Sequence, residues 1–155
     1  MNHTRIRQSG SFQIALPPAQ AFKLFTAEGE RLWVPDWAPE ILGPLPQEAG
    51  LVFLTGIGTQ RTIWTVIESR PADGRVRYSR VTPGSRAGIV SVDVTGADGG
   101  SKVVVSYDLT ALSADGEAAL EAYSPANFAG MMDEWRTMIE RMLAASRPDL
   151  ATLVV

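Results

Sequence analysis

The side chains that most often carry nucleophilic or proton-transfer chemistry are nearly missing from this chain. It has no cysteine, and its one histidine is His3, close to the chain start. Without cysteine the chain has no disulfide, no thiolate nucleophile and no cysteine-bound zinc. A Ser-His-Asp arrangement would have to use His3 itself, at a chain end that tends to fray. We therefore expect no metal site, no cofactor and no histidine-based catalysis.

The remaining candidates for acid–base work are charged residues on predicted strands. Asp93 alternates with both apolar and polar neighbours, so the pattern does not decide whether its side chain faces the core or the solvent. If it is buried, an aspartate with a raised pKa could act as an acid or a base. Arg80 is expected at the rim of a cavity, with its stem packed and its charged end in water. Asp108 alternates with polar residues, which is typical of a solvent face. No acid–base or metal-ligand spacing is recognised among four other acidic residues: Glu28, Glu30, Asp36 and Glu40.

Aromatic and methionine side chains form a larger set of candidates, for contact with an apolar ligand. Methionine repacks easily around varied ligands, and a tyrosine hydroxyl offers a polar contact in an apolar pocket. For each of these residues the alternative is ordinary core packing. Trp33 and Trp37, with Pro35 between them, either form a rigid lid or pin a loop to the body. The predicted ligand contacts are Trp37, Trp64, Tyr78, Tyr107, Phe128, Met131, Trp135 and Met138.

Composition and charge exclude several classes of protein. The chain has 155 residues, of which 45% are hydrophobic and 20% charged, as is typical of one globular domain. We expect a single domain over 1–155, with a core at 5–146 and a tail at 147–155. The formal net charge is −3, and the sequence contains no basic stripe. Both features disfavour nucleic acid as a partner. No apolar run has the length of a membrane span, and the start lacks a signal-peptide core, so we expect a cytoplasmic protein. We also expect it to be a monomer or a weak dimer.

The elements that must position these residues begin with a strand at Ser11–Leu16, where apolar and polar residues alternate. Pro17 and Pro18 end this strand and suit the first turn of a short helix, which Gly29 would close. Prolines recur through residues 33–46 and exclude a long helix or a central strand there.

From residue 50 onward the pattern has period two, and tight turns separate the apolar runs. Strands joined by such short turns must be antiparallel, because parallel neighbours need long crossovers. A further short strand is possible at Glu40–Gly43. The strands predicted in this meander are Leu51–Thr55, Gln60–Arg70, Arg75–Thr82, Gly88–Thr95 and Lys102–Ala111.

Two helices are predicted after the last strand, Asp115–Tyr123 and Asn127–Ser146, with an interruption at Pro125. In the second helix the apolar residues fall on one face and the charged residues on the other. Its length of roughly 30 Å is enough to cross a whole sheet. Such a helix on the concave side of a twisted sheet leaves an apolar space between them.

This order of elements resembles the START-domain and pollen-allergen-like superfamily, also called SRPBCC or polyketide cyclase/dehydrase, and its small bacterial members in particular. The resemblance implies an α+β helix-grip fold, in which a curved antiparallel sheet of six to seven strands wraps around a long C-terminal helix. It also implies a cavity under that helix, with two short helices after the first strand. The residues that carry it are Phe12–Leu16 with Pro17–Phe25, Trp33–Pro39, Tyr78–Gly84 and Met132–Trp135.

Members of this superfamily variously bind lipids, sterols, hormones or polyketides, and a minority catalyse cyclisation or dehydration. We therefore expect binding of a hydrophobic small molecule, lipid-, sterol- or polyketide-like, between sheet and helix. One alternative is a cyclase or dehydratase acting on a polyketide-like substrate, which would need Asp93, Arg80 or a tyrosine inside the cavity. Another is an interaction module like the chaperone co-activators of the superfamily, which would need an exposed apolar patch around Trp33–Pro39.

Overall fold

Seven antiparallel strands form one sheet in the order β1-β7-β6-β5-β4-β3-β2. The computed structural model describes residues 4–146 and 148–155. The sheet curves around a long C-terminal helix, which confirms the predicted α+β helix-grip fold. The strands are β1 (Arg5–Ile14), β2 (Glu40–Leu42), β3 (Val52–Thr55), β4 (Thr62–Arg70), β5 (Arg75–Thr82), β6 (Arg86–Ala97) and β7 (Gly100–Ala111). The α-helices are α1 (Pro18–Lys23), α2 (Ala114–Leu120) and α3 (Pro125–Ala145), and short 3₁₀ helices lie at Gly29–Leu32, Gly58–Gln60, Pro71–Asp73 and Glu121–Tyr123.

The inner face of the sheet follows from strict alternation along the long strands. In β7 the residues Val103, Val105, Tyr107 and Leu109 are all buried, and their neighbours in the chain point outward. β4 departs from this regularity at a bulge between Val66 and Glu68, and a bulge of this kind bends a sheet. The bend and the natural strand twist curve the sheet and leave room beneath α3.

The helix α3 begins at a proline. Ser124 caps the helix, since its Oγ accepts a hydrogen bond from the backbone N–H of Asn127 at 3.2 Å. Pro125 occupies the first turn, where a missing N–H costs nothing. The predicted interruption at Pro125 is therefore a helix start. Within the described residues, no helix combines the length and the apolarity needed to cross a membrane.

The first strand is longer than its apolar residues indicate. β1 begins at Arg5 and pairs with β7 from Arg5–Thr110 to Ile14–Ser101. The early part of β1 is polar because its outer face meets water, where Arg5 Nη2 lies 2.7 Å from Asp108 Oδ2. At the other end of the sheet, the possible strand at Glu40–Gly43 is present as β2 and completes the seven.

Residues 148–155, predicted as a tail beyond the core, pack against the body of the domain. Leu150 is only 3% exposed. Lys23 Nζ donates hydrogen bonds to the carbonyl oxygens of Ala151 at 3.1 Å and Leu153 at 3.0 Å. The N–H of Gln47 donates to the carbonyl of Val155 at 2.6 Å. The segment thus ties α1 to the proline-rich connection that precedes β3.

Candidate functional site

A cavity of about 380 Å³ lies between the inner face of the sheet, the first half of α3 and the segment that follows α1. This volume is within the range of small-molecule sites in proteins, which runs from about 300 to 1,000 Å³. Nine apolar side chains and nine polar or charged side chains line it. The apolar lining is Phe25, Val34, Trp37, Phe53, Trp64, Val90, Val92, Met131 and Trp135. The polar lining is Glu30, Thr55, Gln60, Thr62, Tyr78, Arg80, Arg86, Tyr107 and Tyr123.

Six of the eight predicted ligand contacts line this cavity: Trp37, Trp64, Tyr78, Tyr107, Met131 and Trp135. Phe128 does not line it. Its ring is 2% exposed and packs edge-on against Tyr107, with ring centroids 5.4 Å apart. Met138 does not line it either, and packs against the core farther along α3. For Met138 the reason is length, since the cavity extends under only the first half of a helix of 21 residues. Phe128 lies in that first half, but its ring is buried in the core.

Four interlocked aromatic rings form the wall on the sheet side. Phe53 and Trp64, paired across β3 and β4, stack with centroids 5.7 Å apart and an interplanar angle of 4°. Tyr78 meets each of these two rings edge-on at 5.9 Å. Trp37 closes the group edge-on, at 6.2 Å from Phe53 and 6.1 Å from Trp64. Offset and edge-on contacts between aromatic rings are the favoured geometries, so this wall is well defined.

The two tryptophans of the proline-rich segment have different positions. Trp33 is 6% exposed, and its Nε1–H donates to the carbonyl of Leu24 at 2.7 Å. It pins the loop to the body rather than forming a lid. Trp37 donates to the carbonyl of Ala27 at 2.8 Å and presents its ring to the cavity. Neither ring therefore forms the exposed apolar patch that an interaction module requires.

Arg80 lines the cavity, with its guanidinium against aromatic rings, and the residue keeps partial solvent exposure. Its Cζ lies 5.2 Å from the ring centroid of Trp64 and 6.0 Å from that of Tyr107, which is cation–π distance. Its Nη1 donates to the hydroxyl of Tyr123 at 3.4 Å. The Nε of Arg80 is buried and has no hydrogen-bond partner among the described residues.

Arg86 is a second guanidinium in the same cavity and is not among the residues predicted from the sequence. It is 7% exposed, with Nη1 donating to Ser85 Oγ at 2.9 Å and Nη2 to Gln60 Oε1 at 3.5 Å. Its Nε is also buried without a partner in the described part of the chain. Burial lowers the pKa of Arg86, and the nearby charge of Arg80 lowers it further. The sequence does contain an indication of this position. Arg86 is an even number of residues from Val90, so the alternation of a strand places both side chains on the inward face.

Glu30 is the one acidic residue in the described lining of the cavity, and its sequence spacing indicates no role. It follows Gly29, where a Cβ would lie 1.6 Å from the carbonyl oxygen of Lys23, so only glycine allows this turn. Glu30 retains limited accessible surface, and burial raises the pKa of its carboxyl to about 8 although Arg80 opposes the shift. Within the described residues the carboxyl takes part in no ion pair.

The hydroxyl of Tyr78 is engaged in hydrogen bonds within the protein. Tyr78 OH donates to the carbonyl of Phe25 at 2.8 Å and accepts from Gln47 Nε2 at 2.9 Å. Burial raises the pKa of Tyr78 and of Tyr107 well above the ordinary tyrosine value, so both hydroxyls stay neutral. The hydroxyl of Tyr78 is thus occupied by structural hydrogen bonds, and Tyr78 lines the cavity with its ring.

The aspartates considered in the sequence analysis lie on the outer face of the sheet. Asp93 Oδ1 accepts from Arg75 Nε at 2.9 Å, and its side chain is 37% exposed. Asp108 pairs with Arg5 in the same way, which lowers its pKa. Asp93 therefore has no place in cavity chemistry, and Glu30 is the acid–base candidate instead. Across residues 4–146 and 148–155, no three histidine, aspartate or glutamate side chains come together as a metal site.

Comparison with known proteins gives a family and a set of related folds. Residues 5–153 match the family model described as polyketide cyclase / dehydrase and lipid transport. No curated protein matches the chain. A protein from Rhizobium leguminosarum is 18% identical and has a TM-score of 0.64, covering 90% of this chain and 97% of its own. Norcoclaurine synthase from Thalictrum flavum is 10% identical with a TM-score of 0.62, covering 89% and 88%. A protein from Mesorhizobium loti is 15% identical with a TM-score of 0.64, covering 91% and 98%.

Proposed function

Because the chain belongs to the polyketide cyclase/dehydrase and lipid transport family, we propose that it binds a hydrophobic small molecule, lipid-, sterol- or polyketide-like, between sheet and α3. The observation that carries this proposal is the cavity of about 380 Å³ with a continuous aromatic wall. The driving force is removal of apolar surface from water. A ligand that buries about 250 Å² of apolar area gains roughly 6 kcal/mol before the costs of association are subtracted.

The two sides of the cavity have different parts in this binding. The rings of Phe53, Trp64 and Tyr78 hold one another in place and offer a preformed surface. Met131 on α3 faces them from the other side, and its flexible thioether adapts to the shape of the ligand. A preformed wall lowers the entropy cost of binding, since few side chains must be ordered by the ligand.

A neutral fluorescent probe, N-phenyl-1-naphthylamine, tests this proposal. We expect its emission to rise on binding to the wild-type protein. The substitution Met131→Trp fills the cavity and should weaken probe binding by at least about tenfold, or about 1.4 kcal/mol. Met138→Leu is the matched control, because Met138 lies on α3 outside the cavity lining. A wild-type protein that leaves the probe emission unchanged, or a Met131→Trp variant that binds like wild type, would contradict cavity binding.

A second candidate function is acid–base catalysis, which Glu30 specifically favours. Its carboxyl shares the cavity with Arg80, and burial raises its pKa to about 8. At neutral pH such a group is mostly protonated and can donate a proton to a leaving oxygen, as dehydration requires. Above its pKa it can accept a proton from carbon, while a guanidinium stabilises the oxyanion that develops.

The base-catalysed opening of 5-nitrobenzisoxazole measures this second function, since it needs only one positioned base and an apolar site. We expect a protein-dependent rate that rises with pH and levels off above about 8, the pKa of Glu30. Glu30→Gln should abolish this rate. Glu28→Gln should not change it, because Glu28 lies outside the cavity in an ion pair with Arg31. A rate that survives in Glu30→Gln would assign the chemistry to another group.

A further inference from the structure

The two guanidiniums of the cavity lie on adjacent strands and on the same face. In the register of β5 and β6, Arg80 is opposite Gly88 and Thr82 is opposite Arg86. Arg86 therefore lies two residues before Gly88 on β6, and Gly88 is directly opposite Arg80 on β5. Because Gly88 has no side chain, nothing at that position separates the two arginine side chains. Both arginines line the cavity, and the charge of Arg80 lowers the pKa of Arg86, which places the two positive groups within electrostatic reach.

Nothing in the described residues neutralises this pair. The eight ion pairs of the described chain involve other residues, and neither Arg80 nor Arg86 belongs to one. Glu30 is the only carboxyl of the lining, and it lies outside ion-pair distance of both arginines. Like charges in a partly dry enclosure repel each other, and a bound anion relieves that repulsion.

Both guanidiniums also hold unused hydrogen-bond donors. The Nε atoms of Arg80 and Arg86 are buried and have no partner among the described residues. Buried polar atoms in folded proteins nearly always have a partner, so two such donors on neighbouring side chains of the cavity lining are unusual. The arginine side chain presents its N–H groups as a planar fork, which matches the two oxygens of a carboxylate or sulfonate.

We propose that Arg80 and Arg86 form an anion subsite in the cavity, so that the preferred ligand is an amphipathic acid with one carboxylate or sulfonate head and an apolar body. This inference rests on the proposed binding function and adds the class of ligand. The aromatic wall of Phe53, Trp64 and Trp37 contacts the body of the ligand. The head accepts hydrogen bonds from the two guanidiniums.

Glu30 makes this preference depend on pH. The charged or titratable groups that line the cavity around its carboxyl are Arg80 from β5, Arg86 from β6, Tyr78 from β5, Tyr107 from β7 and Tyr123 from the 3₁₀ helix before α3. Burial raises the pKa of Glu30 to about 8, so at neutral pH the carboxyl is mainly uncharged and the cavity stays positive. Above that pH an ionised Glu30 competes for Arg80 and repels a bound anion. Affinity for an anionic ligand should therefore fall as the pH rises through about 8.

A matched pair of probes separates this inference from the binding function itself. N-phenyl-1-naphthylamine and 1-anilinonaphthalene-8-sulfonate share one ring system and differ by the sulfonate. At pH 6.5 we expect the sulfonate to bind at least about tenfold more tightly than the neutral probe. Arg80→Gln and Arg86→Gln should each remove most of this preference, lowering the affinity for the sulfonate at least about tenfold more than the affinity for the neutral probe. Arg77→Gln, on the exposed side of β5, is the control and should change neither affinity.

Each outcome supports the inference or overturns it. Equal affinity for the two probes, or a sulfonate preference that survives in both glutamine variants, overturns the anion subsite and leaves the apolar function standing. Binding of neither probe overturns both proposals. Loss of both probes together in the Arg80→Gln variant indicates damage to the cavity and also contradicts the inference. Arg80→Lys retains the positive charge and should retain more of the preference for the sulfonate probe than Arg80→Gln does. An arginine with a purely structural role would not give this difference between the two variants.

Discussion

Replacing Glu30 by glutamine is expected to stabilise the protein, and the gain should grow as the pH rises from about 4.5 to about 8. In the unfolded chain this carboxyl ionises with an ordinary pKa near 4.5, whereas burial holds its pKa in the folded protein at about 8. Between these values the folded state binds a proton that the unfolded state has released, so the free energy of unfolding falls with pH. At about 1.4 kcal/mol per pH unit, the wild-type protein loses on the order of 3 kcal/mol by pH 7.

Glutamine has no charge to desolvate and removes this pH dependence. Urea unfolding of both proteins at pH 5, 7 and 8.5 gives the difference directly. Glu28→Gln is the matched control, because Glu28 is also acidic, lies two residues earlier and forms an ion pair with Arg31 outside the cavity. A stability difference between wild type and Glu30→Gln that stays constant across these pH values would show that the carboxyl is solvated. A residue that costs stability where it lies is typical of a site kept for function.

The second large effect concerns Trp33, whose replacement by alanine should cost about 3–5 kcal/mol of the free energy of unfolding. Its buried ring meets Phe25 at 5.8 Å and Trp135 at 5.5 Å, so the substitution leaves a hole between α3 and the segment that follows α1. The carbonyl of Leu24 also loses the hydrogen bond from the indole N–H. Chemical unfolding measures the loss.

Trp37→Ala is the matched comparison, since it removes the same ring four residues later. The Trp37 ring is partly accessible and lines the cavity, so the variant should be less destabilised than Trp33→Ala. It should weaken binding of N-phenyl-1-naphthylamine by about tenfold, because the edge-on contacts to Phe53 and Trp64 disappear from the wall. Equal losses of stability and of binding in the two variants would contradict the division into a structural and a ligand-facing tryptophan.

Much of the fold follows from periodicity alone. Alternation at Val103, Val105 and Tyr107 predicts the inner face of β7, and the structure buries all three. The apolar stripe of the last helix predicts α3 to within two residues at its start and one at its end. Periodicity fails over the first part of β1, because the inward positions Gln8 and Gly10 carry no large apolar side chain. Strand pairing there depends on β7.

The charged part of the cavity was much harder to predict. Glu30 lies in a 3₁₀ helix that no repeat marks, and it follows Gly29, which approaches the backbone of Lys23 closely. Arg86 lies between the predicted strands Arg75–Thr82 and Gly88–Thr95, so the pattern places it in their connection. The apolar contacts were easier to locate because they share faces with the core. This inference from the core face fails at Phe128 and Met138, because the core face and the cavity wall coincide over only part of α3.

The interlocked rings on the sheet side also bear on which shapes of molecule the protein can accept. Phe53, Trp64 and Tyr78 support one another, so a ligand cannot gain room by pushing into the sheet. Extra room has to come from the opposite side, where Met131 changes rotamer or α3 shifts as a unit. The protein should therefore discriminate among molecules mainly by their thickness perpendicular to the sheet. A flat ring system and a puckered one of equal volume would then be distinct ligands for this cavity.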